Sequence, residues 1–267
     1  MSLLHNTIYK VVVLRTQNQI KMNLLVCISK TPETTAKIAF KDGNSSFDTD
    51  GVQFIMNPYD EWYALVRALE LKEQHGGKVI AINVGDSSND PVIRKALAIG
   101  ADEAVRVDAE AESSFFVAKQ IAEYAKSNDI DIVFTGKETI DYNGAEVGGM
   151  IAEMLDQPYF SFASHLDHDG SSAKVTRDIE GGVEVAEVQG KFVLSAAKGL
   201  AEQRIPNMRG IMMAKRKPLN VISPVEANGN VKVVSYELPP EKGGITMVDA
   251  EDMDKLVKLL HEEAKVL

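Results

Sequence analysis

The residues best suited to bind a ligand lie in one polar, glycine-punctuated loop. The apolar run Asp131–Thr135 is typical of a buried strand, and residues 136–148 then read Gly-Lys-Glu-Thr-Ile-Asp-Tyr-Asn-Gly-Ala-Glu-Val-Gly. A helix follows, with an apolar face at helical spacing formed by Val147, Met150, Ile151, Met154 and Leu155. Open α/β sheets bind ligands where such strands end, and free N–H groups at a helix start hold phosphate. The loop is therefore a predicted nucleotide site, and a plain long connection is the alternative.

The other reactive residue types form no catalytic or metal-binding pattern. The five histidines are scattered, and no pair has metal-ligand spacing within one helix. Cys27 is the only cysteine and lies in an apolar run, which favours a buried small residue over a nucleophile. The Gly-x-Ser-x-Gly, Gly-x-Gly-x-x-Gly and Walker patterns are absent. The sequence therefore predicts no catalytic residue and no metal site.

A second stretch, residues 196–217, combines apolar and basic side chains in a way that a simple connection does not need. Leu200 stands in a polar run directly after Gly199, and an Arg-x-Pro-Asn turn begins at Arg204. The segment that follows is both apolar and strongly basic. The polar neighbours of Leu200 favour an exposed loop, and a core leucine is the alternative.

The composition is that of an ordinary globular protein. The chain has 267 residues and a mass of 29.2 kDa, with 45% hydrophobic and 25% charged residues. A net charge of −10 argues against nucleic-acid or membrane-surface binding, because both need a basic field. One cysteine excludes a disulfide framework and favours a reducing compartment. No apolar run reaches the roughly 18 residues that span a bilayer.

The alternation of apolar runs and helical patterns predicts the fold. From Met22 to about Leu155, near-continuous apolar strands alternate with helices, which is typical of a parallel sheet covered on both faces. After Gln157, short strands joined by tight turns predict an antiparallel second half. Beyond Pro218 we expect an extended arm that ends in a helix from about Ala250. The predicted fold class is α/β, doubly wound, with a mainly parallel sheet.

Residues 1–21 stand apart from the rest of the chain. They carry three basic residues and no acidic one, and a second methionine, Met22, follows them. A basic, acid-free leader is typical of mitochondrial targeting peptides, and an upstream start of translation is the alternative. We therefore predict an extension over 1–21, an α/β nucleotide-binding domain over 22–217, and a C-terminal arm and helix over 218–267.

Several segments together resemble the electron transfer flavoprotein β subunit, and they occur in the family's order. The resemblance covers nearly the whole chain from Met22 and is carried by Leu24–Ile28, Met56–Tyr59, Ala96–Asp102, Gly136–Asp141, Arg177–Gly182 and Arg204–Lys215. It implies an electron carrier rather than an enzyme, in a heterodimer whose α subunit holds FAD. It also implies acyl-CoA dehydrogenase-type donors, a quinone-linked oxidoreductase as acceptor, and a cytoplasmic location in a bacterium, or the mitochondrial matrix if residues 1–21 are a leader.

The resemblance also implies which residues bind. The β subunits of this family bury an AMP, and the matching positions here are Cys27, Asn57, Pro58, Tyr59, Asp60, Val84, Gly136, Lys137, Glu138, Thr139, Ile140, Asp141, Tyr142, Asn143, Gly144, Ala145, Glu146 and Val147. Tyr59 would lie near the flavin across the subunit interface. Leu200 would be the anchor for the dehydrogenase, with Arg204 beside it, and the C-terminal arm would pack on the α subunit.

The chain departs from the family's pattern in two places. The usual Asp-Asp-Asp-x-Asn-Gln-Thr-Gly reads Asp-Tyr-Asn-Gly-Ala-Glu-Val-Gly over 141–148. Ala-x-Val-Gly is closer to electron-bifurcating members with a second FAD, although their Gly-Asp-Thr and Gln are missing, so AMP is the prediction and FAD the alternative. Glu146 replaces Gln and would weaken a phosphate contact unless it points away. The usual Leu-Asn-Glu-Pro-Arg-Tyr is also absent at Leu200, which leaves the partner's identity open.

Two other classes of protein share an α/β nucleotide-binding core. A stand-alone adenine-nucleotide sensor of the universal-stress type would be shorter and would carry a Gly-x-x-Gly loop. An adenylating enzyme would need a Ser-Gly-Gly-x-Asp-Ser-type loop after the first strand, where this chain has Ser29-Lys30-Thr31-Pro32. The arm beyond Pro218 has no role in a protein of the universal-stress type.

Overall fold

A computed structural model describes residues 21–227, 231–241 and 243–267. The predicted leader therefore lies outside the described residues, except for Lys21. The chain splits into two compact units. Of the described residues, the first unit holds those before Ala39 and from Thr49 to Lys232, and the second holds Ala39–Asp48 and Val233–Leu267.

The strands and helices alternate through most of the chain. The strands are β1 (Met22–Cys27), β2 (Lys30–Pro32), β3 (Phe40–Lys41), β4 (Ser46–Phe47), β5 (Phe54–Met56), β6 (Gly77–Val84), β7 (Glu103–Val107), β8 (Ile132–Gly136), β9 (Tyr159–His168), β10 (Ser172–Ile179), β11 (Gly182–Gln189), β12 (Phe192–Ala196) and β13 (Leu219–Ile222). The helices are α1 (Asp60–His75), α2 (Asp90–Ile99), α3 (Ser114–Ser127), α4 (Val147–Leu155), α5 (Met208–Ala214) and α6 (Met253–Lys258). A 3₁₀ turn covers Ser87–Asn89, and a π-helical turn covers Leu259–Glu263.

The first unit is built on a nine-stranded sheet with the order β11-β10-β9-β12-β8-β1-β6-β7-β13. From β1 the chain moves outward through β6 and β7, and α3 then carries it back to β8 on the other side of β1. Because β1 pairs in parallel with both β6 and β8, the winding direction reverses between β1 and β8. This arrangement confirms the predicted doubly wound α/β fold and places a switch point at the carboxyl end of β1.

Helices cover both faces of the sheet, which explains why the central strands read as continuous apolar runs. In β1, Leu24 and Val26 pack in the cluster that includes the buried residues of α1 and α2. Leu25 and Cys27 pack in the other cluster, together with buried residues of α3 and α4. Successive residues of a strand point to opposite faces, so a strand buried on both faces shows no polar alternation.

The predicted antiparallel second half is correct for part of its length only. β9, β10 and β11 form an antiparallel meander, but β12 pairs in parallel with both β8 and β9. The antiparallel direction predicted for the second half is therefore wrong for β12. Every residue of Phe192–Ala196 is buried, which is typical of a central parallel strand and not of a hairpin strand with one wet face.

The sheet extends past Pro218, where the predicted arm begins. β13 pairs in parallel with β7, and the Gln120 side chain then bonds the backbone of Val225, accepting at 2.7 Å and donating at 2.9 Å. In the second unit, the ring of Tyr236 stacks on Phe40 with centroids 5.0 Å apart. The terminal helix begins after Asp252, whose side chain accepts from Lys255 N, rather than near Ala250.

The apolar face of the terminal helix is exposed in part. Met253, Leu256 and Val257 are exposed. Across the part of the chain that the structure describes, no helix combines the length and hydropathy that crossing a membrane requires.

Two neighbouring glycines of α4 give a matched test of how closely this helix packs on β8. A Cβ on Gly148 would lie 2.8 Å from Thr135 Oγ1 and 2.9 Å from the Tyr159 ring, whereas one on Gly149 would meet nothing nearer than 3.6 Å. We expect Gly148→Ala to destabilise the chain by about 1–3 kcal/mol through overpacking. Gly149→Ala should be neutral or stabilise it by up to about 1 kcal/mol through helix propensity. Urea unfolding measures both, and equal effects would contradict the close packing.

Candidate functional site

Buried polar side chains gather at the carboxyl edge of the parallel strands. Asn83, Thr135 and Ser195 lie at the ends of β6, β8 and β12 and are buried. Asn57 and Glu61 are buried beside the same edge, in the turn from β5 and the first turn of α1. Buried polar groups need hydrogen-bond partners, so these side chains fix the loops around them.

The backbone of Ser29, just past β1, is the centre of this network. Its N–H donates to Glu61 Oε2 at 2.7 Å, and its carbonyl accepts from Asn57 N at 3.0 Å. The preceding carbonyl, of Ile28, accepts from Asn83 Nδ2 at 2.7 Å. Three separate segments are therefore anchored to one short stretch of backbone at the switch point.

Asn57 connects this centre to the predicted nucleotide loop. Its Nδ2 donates to the Glu138 carbonyl at 3.0 Å, and its Oδ1 accepts from Ile140 N at 3.0 Å. The Asn57 side chain is buried, and both of its bonds are partly shielded from water. Asn57 and the residues 136–140, predicted to share a site, are thus brought together in the structure.

The rest of the loop is exposed and strained, and it leads into a helix without a side-chain cap. Asn143 and Ala145 have φ of 51° and 54°, a left-handed conformation that non-glycine residues seldom adopt. Glu146, at the N-cap of α4, makes no capping hydrogen bond. The first-turn N–H groups of α4 receive no side-chain acceptor from the cap and are available to an anion. Glu146 is exposed, and its carboxylate lies 3.7 Å from the Cβ position of Gly144.

A cavity of about 450 Å³ opens at the neighbouring strand ends. It is lined by Lys30, Val84, Gly85, Asp86, Ser88, Asn89, Glu110 and Ala111. Lys30 Nζ donates to Ser88 Oγ at 2.7 Å, and Asn89 Nδ2 donates to Asn83 Oδ1 at 2.9 Å. Val84, a predicted binding residue, is therefore at the wall of a polar cavity, and the wall is fixed by hydrogen bonds.

Tyr59 and Cys27 differ sharply in their exposure. Tyr59 is exposed and has a φ of 63° and a ψ of −93°, a strained backbone for an aromatic residue. Strain of this kind is concentrated at functional sites, where the surrounding structure maintains it. Cys27 is buried, as expected, and burial raises the pKa of its thiol, so it stays protonated. Asp60 is the first residue of α1.

The sequence prediction missed Glu61. Only 3% of this residue is exposed, and burial raises the pKa of its carboxyl to about 8. A Cβ on Gly136 would lie 2.8 Å from Glu61 Cγ, so this position of the loop leaves no room for a side chain. In the sequence, Glu61 looks like one of the acidic residues that are common in the first turn of a helix. Its position on the inward side of α1 is the signal that distinguishes it.

The predicted exposure of Leu200 is wrong. Leu200 is 4% exposed and belongs to the main hydrophobic cluster, because the chain turns it inward after Gly199 at a φ of 104°. Arg204 forms a bidentate pair with Glu73, at 2.6 and 2.9 Å, and its carbonyl accepts from Trp62 Nε1 at 3.1 Å. The docking role predicted for Arg204 stays a prediction.

Comparison with known proteins decides the family. The family model described as the electron transfer flavoprotein domain matches residues 45–227. The electron transfer flavoprotein subunit beta of Bacillus subtilis is 34% identical over 260 residues, covering 92% of this chain and 100% of that relative. The human protein of the same name is 35% identical over 244 residues, covering 87% of this chain and 95% of its own length. The chain belongs to the electron transfer flavoprotein β-subunit family.

Membership confirms the resemblance found in the sequence. Electron transfer flavoproteins are electron carriers associated with flavin, and a β subunit implies an α-subunit partner. No group of three His, Cys, Asp or Glu side chains among the described residues is placed to hold a metal ion.

Glu61 should make the stability of this β subunit depend on pH. Its folded-state pKa, about 8, lies above the ordinary 4.5, so the stabilisation is complete below about 4.5 and is lost as pH rises through about 8. We expect Glu61→Gln, which can still accept from Ser29 N but cannot ionise, to remove this loss. Between pH 6 and 8.5 its stability should rise relative to wild type by about 2–3 kcal/mol.

Urea unfolding at several pH values measures this difference. Glu202→Gln removes an exposed carboxyl and is the matched control. A stability difference between Glu61→Gln and wild type that does not change with pH would contradict an ionising buried carboxyl.

Proposed function

We propose that this chain is the AMP-binding β subunit of a heterodimeric electron transfer flavoprotein. In this proposal the α subunit holds most of the FAD site. The heterodimer accepts electrons from acyl-CoA dehydrogenase-type donors and passes them to a quinone-linked oxidoreductase. The AMP site is inferred from the loop 136–147. The Asn57 side chain holds this loop at the switch point, and the loop leads into α4, which has no side-chain cap.

The phosphate of AMP is assigned to the start of α4. Ala145 is left-handed and Glu146, with φ of −112° and ψ of −23°, is close to right-handed helical. Such a pair turns successive backbone N–H groups toward one point, which favours an anion without any lysine. The positive end of the α4 dipole adds to this attraction. The exposed Glu146 carboxylate must turn away from the phosphate for this contact to form.

The ribose and base are assigned to the same edge of the sheet, toward Val84. The cavity there offers hydrogen-bonding groups of both kinds, from Lys30, Ser88 and Glu110. Cys27 is the buried residue at the end of β1 between the two strand ends. A second FAD in place of AMP is the alternative, favoured by Ala145 and Val147 in the loop sequence.

The α subunit is proposed to meet two features of this chain. The exposed, strained Tyr59 is assigned to the face toward the flavin, where an aromatic ring can pack against the cofactor. The exposed apolar residues of α6, Met253 and Val257, are assigned to the contact of residues 218–267 with the α subunit. A helix at the end of a long arm with an uncovered apolar face is typical of an intersubunit contact.

The nucleotide content of the purified heterodimer tests the AMP site. We expect denaturation to release FAD and AMP in about equal amounts, because one nucleotide binds at the 136–147 loop and one flavin is held mainly by the α subunit. Chromatography of the released nucleotides measures the ratio. Two FAD per heterodimer and no AMP would replace the AMP site by a second flavin site.

Removing the Asn57 side chain, which holds the loop 136–147, should lower the AMP content of the heterodimer in particular. Asn57→Ala loses both bonds to the loop backbone and leaves the Glu138 carbonyl and the Ile140 N–H without partners. We expect the affinity for AMP to fall by about tenfold or more, since a lost pair of buried bonds costs about 1–3 kcal/mol.

Asn23→Ala is the matched control for this test. Asn23 also uses its side chain to bond a backbone carbonyl, that of Asp129 at 3.2 Å, but it lies at the amino end of β1. Titration of AMP into nucleotide-free heterodimer compares the two variants. Equal AMP affinity in both would contradict the assignment of the loop.

A further inference from the structure

The loop before α4 contains an asparagine that is followed directly by glycine. This pair, Asn143-Gly144, is one of two in the sequence, and the other, Asn228-Gly229, lies outside the described residues. The side-chain carbon of an asparagine can be attacked by the backbone nitrogen of the next residue, and a glycine there leaves that nitrogen uncrowded. Asn143 and Gly144 are both exposed, so water can reach every group that this reaction needs.

Neither reacting group of this pair is held by a hydrogen bond. Within the described ranges nothing accepts from Gly144 N, and the side-chain amide of Asn143 has no partner there. The backbone N–H of Asn143 donates to the Thr139 carbonyl at 2.9 Å, so the bonding of the loop reaches this residue and stops. Gly144 and Ala145 therefore form an unbonded stretch of backbone between that turn and α4.

The same stretch is strained on both sides of the glycine. Asn143 and Ala145, with φ of 51° and 54°, hold the left-handed conformation directly before and after Gly144. A segment that is exposed, strained and without backbone hydrogen bonds opens locally at little cost in free energy. Rotation about the Asn143 backbone can then bring Gly144 N to the side-chain carbon while the domain stays folded.

The turn between β9 and β10 shows the opposite arrangement at a similar pair, Asp169-Gly170. The Asp169 carboxylate accepts from Ser171 N and Ser172 N, each at 2.8 Å. Gly170 N donates to His168 Nδ1 at 2.9 Å. The side chain and the nitrogen that follows it are therefore both committed. An Asp or Asn before a glycine does not by itself leave these two groups free, as they are in the loop before α4.

We propose that Asn143 is a site of spontaneous deamidation and that a nucleotide bound at this loop suppresses the reaction. Gly144 N attacks Cγ of Asn143, the Cγ–Nδ2 bond breaks, and Nδ2 leaves as ammonia with the proton from Gly144 N. Water then opens the succinimide ring that has formed. Opening at Cγ gives aspartate, and opening at the backbone carbonyl carbon gives isoaspartate. Water is the only co-reactant, and nothing is oxidised or reduced.

The product places a negative charge in a loop to which phosphate is assigned, and this part of the inference rests on the proposed function. Asn143 comes three residues before Glu146, the N-cap of α4. A carboxylate at position 143 adds to those of Asp141 and Glu146 and repels a phosphate at the helix start. Isoaspartate also lengthens the main chain by one carbon, which displaces the loop relative to α4.

The nucleotide and the modification therefore oppose each other. A phosphate bound at the start of α4 holds the backbone that follows Gly144 in one conformation, whereas ring closure needs that backbone to rotate. Because the reaction proceeds from the nucleotide-free loop, its rate falls with the fraction of heterodimer that is free. Loss of the nucleotide exposes Asn143, and the carboxylate that forms then makes rebinding weaker.

Ageing the purified, nucleotide-free heterodimer at mildly alkaline pH tests the chemistry. Peptide mass spectrometry measures the mass gain at Asn143 and separates aspartate from isoaspartate. We expect Asn143 to react and Gly144→Ala to slow it about tenfold, because a β-carbon crowds the attacking nitrogen. This variant should keep the wild-type Tm, since a Cβ on Gly144 would meet nothing nearer than 3.7 Å. Asn228, in the second Asn-Gly pair, is the internal control and should react at the same rate in both proteins.

Adding AMP tests the link to the nucleotide. AMP at about ten times its Kd should slow the reaction at Asn143 about tenfold. Asn143→Asp, which carries the charge of the product, should weaken AMP binding about threefold at low ionic strength, and less at high salt. Asn220→Asp adds the same charge at an exposed position of β13, at the far edge of the sheet, and should leave the affinity unchanged.

The two tests can fail separately. An unmodified Asn143 in the aged heterodimer overturns the modification site, as does a rate that Gly144→Ala leaves unchanged. Equal rates with and without AMP, in a heterodimer that titration shows to bind AMP, overturn the protection by the nucleotide. Equal AMP affinities of Asn143→Asp and Asn220→Asp overturn the effect of the product. A heterodimer that binds no AMP refutes the proposed function and the protection with it, whereas the mass gain at Asn143 still decides the site.

Discussion

The backbone of Ser29 is the point on which the carboxyl edge of the parallel strands depends. Its N–H and its carbonyl are bound by two different segments, through the Glu61 carboxyl and the Asn57 backbone. Asn57 then holds the loop backbone at Glu138 and Ile140. All of these bonds are shielded from solvent to some degree, so breaking one leaves a desolvated polar group and not a hydrated one. Backbone groups just past the end of β1 therefore determine the position of the loop that follows β8.

The buried carboxyl of Glu61 lowers the stability of this arrangement near neutral pH. A carboxyl in this position is desolvated, and Asp60 and Asp141 oppose its ionisation, which is why its pKa rises. An apolar side chain would avoid that penalty but would leave the Ser29 N–H without an acceptor. The contact with Gly136 also closes off the loop's first residue, so the carboxyl serves as both acceptor and packing element. Specific placement of the loop is obtained at the expense of stability near neutral pH.

The sequence predicted what local patterns encode. The central strands, α4 and the loop before it were predicted from apolar runs, helical spacing and glycine punctuation. The doubly wound fold was predicted because the central strands read as buried on both faces. The direction of β12 and the existence of β13 depend on which strand lies beside which, and no short pattern carries that information. Glu61 was missed and Leu200 was placed wrongly for one reason: neighbours in space decide a residue's exposure, and its neighbours in sequence do not show them.

The first turn of α1 links the carboxyl edge of the sheet to the segment before α5. Glu61 and Trp62 are consecutive residues that face different partners: Glu61 accepts from Ser29 N, and Trp62 donates to the Arg204 carbonyl. Further along α1, Glu73 holds the Arg204 side chain. Any displacement of α1 relative to β1 would therefore strain the bonds at both Ser29 and Arg204. The helix thus fixes the carboxyl edge of the sheet and the segment 204–207 with respect to each other.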